Sequence, residues 1–589
     1  MPRIFLTAVN FHGITPRKFA LFFTLISFRH HFSIFPLEQL LPYSCLRLFQ
    51  LPRMKQTSCL SYTGKYHESR GRTIQFYQAC FFMTILLSTL NARYAHTSLG
   101  LRYLLANMGE LQANARLLEF VIGTQPSVIV EKMLSSRPKI IGLGVYIWNV
   151  EETTKVVAML KAVAPEVTVI LGGPEVSHEP EVQSVVHLAD YVVTGWGEIT
   201  FPEICKLVIA GMPPLLKIIE GIQPRLMDVI MPYRFYSNED LAHRTIYVEA
   251  SRGCPFKCEF CLSSLDKTAW AFELEVFLAE MESLHARGAR QFKFVDRTFN
   301  LNVVSSLRIL QFFLDKITAT PDDPVFAHFE LVPDHLPIAL KECIRQFPPG
   351  TLQLEIGVQS FNPDVQTLIS RKQNNDKSSE NIRWLLDHSQ AHLHADLIAG
   401  LPGEDLKSFA QGFDRLVGIG PHEIQLGIIK RLRGTPIIRH TADYGLVFDP
   451  SPPYAILATD RIDFATMQRL VRFARYWDMV ANSGRFANTI GLILSGEPFV
   501  RFMAFSDWLY KKTGATHGIA LERLTVLVKD WLASNGVDSD RIQEAIGSDY
   551  AGKSQRKRAA ASRNTENESA LPSRQTLHLS AQVNGKANY

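Results

Sequence analysis

Three cysteines lie close together near the middle of this 589-residue chain, in the spacing Cys-x3-Cys-x2-Cys. They are Cys254, Cys258 and Cys261, and the aromatic Phe260 comes directly before the last of them. Three thiolates so close together can hold three irons of a 4Fe-4S cube, which leaves the fourth iron without a protein ligand. An open iron can bind a substrate or cofactor directly, whereas a fully ligated cube only passes electrons.

Two other uses of the cysteines fit the sequence less well. A structural zinc site needs four ligands, but the nearest histidines, His243 and His285, lie 11 residues before Cys254 and 24 residues after Cys261. A disulfide framework is disfavoured because the remaining cysteines are scattered without a pattern. These are Cys45, Cys59, Cys80, Cys205 and Cys343.

The cysteine run resembles the signature of the radical S-adenosylmethionine (SAM) enzymes. The resemblance implies that Cys254, Cys258 and Cys261 bind the cluster and that Phe260 lies near the adenine of SAM. It also implies that the open iron chelates SAM and that an electron from the cluster cleaves the sulfonium to a 5′-deoxyadenosyl radical. A cofactor must carry such chemistry because ordinary side chains cannot. A reductant such as flavodoxin or ferredoxin is therefore an expected partner.

Composition and charge describe a multidomain globular protein. Hydrophobic residues make up 46% of the chain and charged residues 20%, and 589 residues are too many for one core. The net charge of +5 is concentrated at the ends, because residues 1–82 carry +8 and residues 553–589 carry +5. The body carries −8, so nothing indicates a nucleic-acid footprint there.

The two ends of the chain differ from the body. Residues 1–82 lack sustained periodicity, and their ten-residue apolar run, 19–28, is too short for a membrane span. No small-residue cleavage site follows it. Our hypothesis is that the working protein starts at Met83, without a membrane segment and in the cytoplasm, where an oxygen-labile cluster survives. Residues 551–589 are polar and basic and are expected to be disordered.

Between residues 83 and 210, short apolar segments alternate with helical patterns. This alternation predicts a doubly wound parallel sheet covered on both faces, as in Rossmann-like domains. The predicted strands are 84–89, 115–121, 139–144, 167–171 and 190–194. Ligands of such sheets bind at the carboxyl ends of the strands.

Glycines cluster where these strands end. They are Gly142, Gly144, Gly172, Gly173, Gly195 and Gly197. Together they resemble the cobalamin-binding domain that precedes many radical SAM enzymes. The Asp-x-His-x-x-Gly motif of the methionine-synthase type is absent, so we expect no histidine on cobalt, although His96 and His178 lie in this domain. Ordinary strand-to-helix turns, or a domain that has lost its cobalamin, remain the alternatives. A Cβ at Gly173 is expected to push the backbone away from the ligand.

Residues 211–242 contain four prolines and are expected to connect two domains. Six further βα units then match the partial (β/α)6 barrel of radical SAM proteins, which we place at residues 243–435. The predicted strands are 246–251, 291–296, 325–331, 352–358, 391–398 and 422–429. Cys254 follows the first of them, at the barrel end where active sites lie.

Residues near the ends of the next strands are candidates for SAM contacts. They are Asp296, Glu330, Glu355, Gln359 and Gly400. The segments around Glu355 and Gly400 resemble the oxygen-independent coproporphyrinogen oxidase and methylthiotransferase branches. A solvated or salt-bridged barrel rim is the alternative for each acidic residue.

Residues 436–550 have mostly helical patterns and are expected to cap the barrel. The leading hypothesis is a cobalamin-dependent radical SAM enzyme that methylates or rearranges an unidentified substrate. One alternative is a radical SAM enzyme without working cobalamin, resembling a porphyrinogen oxidase or a methylthiotransferase. The latter needs a second cluster, yet residues 83–253 contain only Cys205. The other alternative is a non-catalytic iron–sulfur sensor.

Overall fold

The computed structural model describes residues 84–266 and 269–550. They form two parallel sheets followed by a mainly helical region. The expectations for residues 1–82 and 551–589 lie outside the described residues.

The first sheet has six parallel strands in the order β2-β1-β3-β4-β5-β6. The strands are β1 (Ile85–Asn91), β2 (Ala115–Val121), β3 (Ile140–Gly144), β4 (Thr168–Gly172), β5 (Tyr191–Gly195) and β6 (Ile218–Gly221). The helices around them are α1 (Leu99–Ala106), α2 (Pro126–Leu134), α3 (Val150–Val163), α4 (Ser184–Leu188) and α5 (Thr200–Ile209). The doubly wound domain predicted from the sequence is thereby confirmed.

Strand β1 explains why this sheet is covered on both faces. All seven of its residues are buried. Successive side chains of a strand point to opposite faces, and accordingly Leu86 belongs to one hydrophobic core while Ile85 and Leu87 belong to the other. Burial of apolar side chains on both faces fixes the sheet between two layers of helices.

The segment 211–242 does more than connect two domains. Its residues Ile218–Gly221 form the edge strand β6, which pairs with β5. The strand has only four residues and lies among prolines, so its short apolar run is easily missed in the sequence. Helix α6 (Asn238–His243) then leads into the second sheet.

The second sheet is a six-stranded open barrel with the order β14-β13-β12-β11-β10-β7, all parallel. Its strands are β7 (Ile246–Val248), β10 (Gln291–Phe294), β11 (Phe326–Leu331), β12 (Leu352–Gln359), β13 (His392–Ala399) and β14 (Glu423–Ile428). A small hairpin, β8 (Ser251–Arg252) and β9 (Trp270–Ala271), follows β7. The helices are α7 (Leu274–Ala286), α8 (Val303–Ala319), α9 (Ile338–Ile344), α10 (Pro363–Leu368), α11 (Asn375–His388) and α12 (Leu406–Ile419).

Alternation along β12 separates the core from the barrel interior. Leu352, Leu354, Ile356 and Val358 are buried in the main hydrophobic core. Glu355 and Gln359 have the opposite parity and line a cavity inside the barrel. The apolar half of the strand therefore fixes the fold and the polar half faces the site.

The chain after the barrel folds into a hairpin and helices. The hairpin is β15 (Val447–Phe448) and β16 (Ile456–Ala458), and the helices are α13 (Phe464–Val480), α14 (Ile490–Ile493), α15 (Pro498–Thr513) and α16 (Leu521–Ser534). Aromatic side chains such as Phe473, Trp477 and Phe502 pack together here in edge-to-face contacts. Within 84–266 and 269–550, none of the helices has the length and apolar character needed to span a membrane.

Candidate functional site

The three cysteines of the Cys-x3-Cys-x2-Cys run line one cavity of about 240 Å³ at the carboxyl ends of the barrel strands. Cys254 and Cys258 are buried, and Cys261 is partly exposed. The described residues that line the cavity include no further cysteine and no histidine. The cavity therefore offers three soft ligands and no fourth.

Local contacts hold the cysteine loop in shape. The Cys254 N–H donates to the Asp266 carbonyl at 2.8 Å. Gly253 has φ +85°, and a Cβ there would lie 2.9 Å from that same carbonyl oxygen, so only glycine permits this closure. The Ser264 hydroxyl donates to the carbonyl oxygens of Cys258 and Cys261 at 2.9 and 2.7 Å.

Four residues predicted to contact SAM line this cavity together with the cysteines. They are Phe260, Glu330, Glu355 and Gln359. Gln359 has φ +70° and follows a register shift between Gly357 and Gln359. A left-handed non-glycine residue beside a β-bulge is a feature of functional sites, because the bulge redirects a side chain at a cost in backbone strain.

Glu355 is the carboxylate in the cavity that is best held in its ionised form. His328 Nε2 lies 3.1 Å and Lys293 Nζ lies 3.5 Å from Glu355 Oε2. Burial alone would raise the pKa of Glu355, but His328 and the positive charge of Lys293 together lower it. Glu355 therefore presents a negative charge to the cavity.

The neighbouring carboxyl groups behave differently. Burial raises the pKa of Glu330 even though Arg297 Nη1 donates to its Oε1 at 2.7 Å. Burial also raises the pKa of Asp396, whose Oδ1 lies 3.3 Å from His394 Nε2. Glu330, Glu355 and Asp396 thus differ in how readily they ionise, which allows them different partners.

Two other residues predicted to contact SAM lie elsewhere. Asp296 does not line the cavity. Its carboxylate instead accepts hydrogen bonds from the Ala250 N–H at 3.0 Å and from the Ser251 hydroxyl at 2.5 Å. It anchors the chain that leads into the cysteine loop, and burial raises its pKa to about 7. Gly400 lies in apolar packing, where a Cβ would come within 2.6 Å of Ile456.

Three cations that line the cavity were missed from the sequence, namely Arg297, Arg371 and Lys372. Arg371 Nη1 lies 3.6 Å from Cys258 Sγ, and its other guanidinium nitrogens contact the Gly357 carbonyl and Gln373. Arg297 lines the same cavity. Arg297 adjoins Asp296 at a strand end, where a search for basic as well as acidic residues would have found it. Arg371 follows helix α10, and no local pattern predicts its position.

A second cavity of about 470 Å³ lies at the carboxyl ends of the first sheet. All six glycines predicted for cobalamin line it, namely Gly142, Gly144, Gly172, Gly173, Gly195 and Gly197. The ends of β3, β4 and β5 therefore meet at one cavity. His178 also lines this cavity, with its ring against Gly434, whereas His96 Nδ1 lies 2.6 Å from the Tyr247 hydroxyl.

The glycines of this cavity serve two purposes. A Cβ at Gly173 would lie 2.6 Å from the Val145 carbonyl oxygen, and its φ is +109°. Packing of the chain against itself therefore requires this glycine, which differs from the expectation that it mainly gives room to a ligand. A Cβ at Gly172 would have only the Val193 carbonyl oxygen, 3.7 Å away, as a neighbour. Gly172 leaves space in the cavity itself.

One loop contributes to both cavities. Cys254, Cys258 and Cys261 line the first, whereas Arg252, Leu262 and Asp266 line the second. Groups bound in the two cavities would consequently share a wall made of about fifteen consecutive residues. The arrangement allows chemistry that uses both cavities at once.

The residues present fit a 4Fe-4S cluster with SAM in one cavity and a corrin in the other. Three cysteine thiols without a fourth ligand match a cube with one open iron. The cation of Arg371 and the ionised Glu355 match the carboxylate and ammonium groups of an amino acid. Six glycines line the second cavity, and a Cβ at Gly172 or Gly195 would meet open space or only a distant atom, so a wide flat ligand can approach the backbone there.

Comparison with protein families gives three matches. Residues 86–205 match the B12 binding domain, residues 248–416 match the radical SAM superfamily, and residues 442–584 match a protein family of unknown function, DUF4080. The first match runs from β1 to α5 in the first domain, and the second runs from the end of β7 to α12 in the barrel. The third covers the region after the barrel and gives no function.

Several known proteins are similar in sequence. The cobalamin-dependent radical SAM methyltransferase TokK of Streptomyces tokunonensis is 25% identical over 50% of this chain and 47% of that protein. An uncharacterized methyltransferase of Pyrococcus horikoshii is 26% identical over 52% of this chain and 70% of that protein. The chain thus spans about half the length of TokK.

Among solved structures, the cobalamin-dependent SAM radical enzyme OxsB with aqua-cobalamin bound has a similar fold. The TM-score is 0.52 at 12% identity, over 86% of this chain and 84% of that chain. At this identity the likeness concerns the fold alone. It supports the order of a doubly wound domain, an open barrel and a C-terminal region.

Proposed function

Because the chain belongs to the radical SAM proteins that carry a B12-binding domain, we propose that it is a cobalamin-dependent enzyme that methylates an unactivated carbon. Its cofactors are a 4Fe-4S cluster, SAM and cobalamin, and it needs a reductant and a substrate. The observation that carries the proposal is the loop shared by the two cavities, with cysteines on one and Arg252 on the other.

The first cavity binds and orients SAM. When bound, the cluster with SAM supplies a 5′-deoxyadenosyl radical and cobalamin supplies a methyl group. Cys254, Cys258 and Cys261 hold the cluster, and Arg371 pairs with the carboxylate of SAM. Glu355 stays ionised through His328 and Lys293 and pairs with the ammonium group. Phe260, Glu330 and Gln359 complete the wall around the nucleoside.

The second cavity holds cobalamin through shape rather than through a ligand to cobalt. The glycines at the ends of β3, β4 and β5 give a floor on which a corrin can lie. No histidine ligand to cobalt is proposed, although His178 lines the cavity. The substrate enters between the two cofactors, and the residues of the shared loop separate it from bulk water.

Methyltransferases among the relatives support methylation over rearrangement. TokK and a carbapenam methyltransferase of Streptantibioticus cattleyicolor are both matched over about half of this chain. The proposal carries their reaction type to this protein but not their substrates, because each match covers less than half of those proteins.

Anaerobic reconstitution followed by product analysis tests the proposal. The protein is loaded with iron, sulfide and hydroxocobalamin, and an absorption spectrum reports both cofactors. SAM and a chemical reductant are then added, and we expect both 5′-deoxyadenosine and S-adenosylhomocysteine by mass spectrometry. Formation of 5′-deoxyadenosine alone by cobalamin-loaded protein would favour rearrangement or ring closure. Protein that takes up no cobalamin would overturn the proposal.

A further inference from the structure

A short segment after the last barrel strand contacts the loops of both cavities. This segment, Lys430–His440, is called the strap here. Its first half contacts the loop that follows β4 in the first sheet, and its second half contacts the cysteine loop.

The first half of the strap holds the glycine-rich loop of the second cavity. Arg433 Nε donates to Glu175 Oε1 at 3.0 Å, and Arg433 Nη1 donates to Glu179 Oε2 at 2.8 Å. Arg431 Nη2 also donates to Glu179, at 2.8 Å. Glu175 is buried and accepts a further hydrogen bond from the Tyr454 hydroxyl at 2.8 Å. Arg433 of the strap therefore neutralises the carboxylate of Glu175, which directly follows Gly173 and Pro174.

A close backbone contact accompanies these ion pairs. A Cβ at Gly434 would lie 2.4 Å from the ring of His178, and Gly434 has φ +77°. The strap thus packs directly against a residue that lines the second cavity. No other residue type could keep this contact without a shift of one of the two chains.

The second half of the strap holds the cysteine loop through Glu259, which lies between Cys258 and Cys261. The Ile437 N–H donates to the Glu259 carbonyl at 3.0 Å. His440 Nε2 lies 2.9 Å from Glu259 Oε2, and Arg439 contacts Glu259 Oε1. The Ser370 hydroxyl donates to the same Oε1 at 2.6 Å. Glu259 is only 3% exposed, so these partners compensate a buried charge.

We propose that the strap couples the two cofactor sites, so that an assembled cluster strengthens cobalamin binding and bound cobalamin protects the cluster. The inference rests on the proposed function. Each cofactor has to order the loop that holds it, and both loops are fixed to the same eleven residues. The first cofactor to bind orders the strap, and the second then has less conformational entropy to lose. Such coupling between two sites is reciprocal.

Titration of the full-length protein with hydroxocobalamin tests the coupling. The Kd is measured anaerobically by absorption for cluster-free and for cluster-loaded protein. We expect wild-type protein to bind more tightly when the cluster is present, within the range of about 5- to 150-fold that is typical of coupled sites. Equal Kd values would overturn the coupling and leave the proposed function intact. No binding in either state would overturn both.

Variants at the far end of the strap make the test specific. Arg439→Ala combined with His440→Ala removes two side chains that contact the cysteine loop and do not line the cobalamin cavity. We expect the ratio of the two Kd values to fall towards one, while the Kd of cluster-free protein stays unchanged. Arg469→Ala is the matched control, because Arg469 pairs with Asp507 between two C-terminal helices. A double variant that keeps the wild-type ratio would overturn the proposal.

The reciprocal measurement covers the case in which the double variant does not load its cluster. Loss of the cluster to an iron chelator is followed with and without hydroxocobalamin. Cobalamin should slow the loss in wild-type protein and in Arg469→Ala, but not in Arg433→Lys, which cannot reach Glu175 and Glu179 together. Protection that persists in Arg433→Lys would overturn the proposal.

Discussion

Arg252 donates from Nη1 to Glu198 Oε1 at 2.6 Å and so joins the cysteine loop to the first domain. Its Nε also donates to Glu249 Oε1, at 2.7 Å. The guanidinium lies 4.3 Å from the ring centre of Tyr103 and 4.9 Å from that of Trp196. A cation two residues before Cys254 thus lies among aromatic rings and two carboxylates beside the second cavity.

Replacing Arg252 by glutamine should weaken both stability and cobalamin binding. Glu198 and Glu249 would lose the cation that both contact, and removing one partner of a buried ion pair typically costs about 3–5 kcal/mol. Burial already raises the pKa of Glu249, and loss of Arg252 would raise it further. Urea unfolding and cobalamin titration measure the two effects.

Arg252→Lys is the comparison for that variant. Lysine keeps the charge but lacks the planar fork that reaches two carboxylates. We expect an intermediate loss of stability. Arg252→Gln protein that is as stable as wild type and binds cobalamin equally well would contradict this role of Arg252.

Each cysteine of the run should be needed for the cluster. Cys254→Ala, Cys258→Ala and Cys261→Ala each leave two thiolates, which cannot hold the cube. We expect iron content and the paramagnetic resonance signal of the reduced cluster to be lost in all three variants. Cys205→Ala and Cys343→Ala are controls, since both residues are buried and line neither cavity. Loss of iron from reconstituted Cys343→Ala would refute the assignment.

Local patterns in the sequence predicted the parts of the site that depend on local structure. The spacing of Cys254, Cys258 and Cys261 is read directly from the chain. The glycines at Gly144, Gly172 and Gly195 could be expected to meet, because the ends of parallel strands lie at one edge of a sheet. Strand β6 was missed, since four residues among prolines give no clear periodicity.

Contacts between distant residues could not be predicted. Arg433 and Glu175 are 258 residues apart, and nothing near either residue indicates the other. Arg371 reaches Cys258 from the end of helix α10, which depends on how that helix packs. Asp296 is a further example, because its strand-end position suggested a ligand contact, whereas the structure shows its carboxylate accepting hydrogen bonds from the Ala250 N–H and the Ser251 hydroxyl.

Glu404 should make stability depend on pH. Burial raises its pKa to about 7, although the Ser360 hydroxyl donates to its Oε1 at 2.6 Å. The unfolded chain releases this proton near the ordinary glutamate value of about 4.3. Between these values the folded state holds a proton that the unfolded state has lost, so stability falls as pH rises from about 4.3 to 7.

Glu404→Gln should remove that pH dependence. Glutamine can still accept from Ser360 and carries no charge at any pH. The raised pKa of Glu404 lowers the free energy of unfolding by at most about 4 kcal/mol at pH values above 7, since each pKa unit is worth about 1.4 kcal/mol. Urea unfolding between pH 5 and 8 measures the slope for wild type, for Glu404→Gln and for a control, the exposed Glu544→Gln. A slope that is the same in wild type and in Glu404→Gln would contradict the prediction.

Gly172 and Gly173 have different roles. Gly172 leaves space for a ligand, whereas Gly173 is required by the packing of the chain against itself. Gly172→Val places its side chain where the nearest neighbour of the Cβ is 3.7 Å away, so the domain should fold and the cavity should be smaller. We expect cobalamin affinity to fall about tenfold or more, equal to about 1.4 kcal/mol, with little change in the melting temperature.

Gly173→Val meets the Val145 carbonyl at 2.6 Å and should lower both affinity and melting temperature. Gly418→Ala, on a helix where the Cβ meets no atom within 4 Å, is the control for both. Gly172→Val protein with wild-type affinity would show that the corrin does not lie over the end of β4.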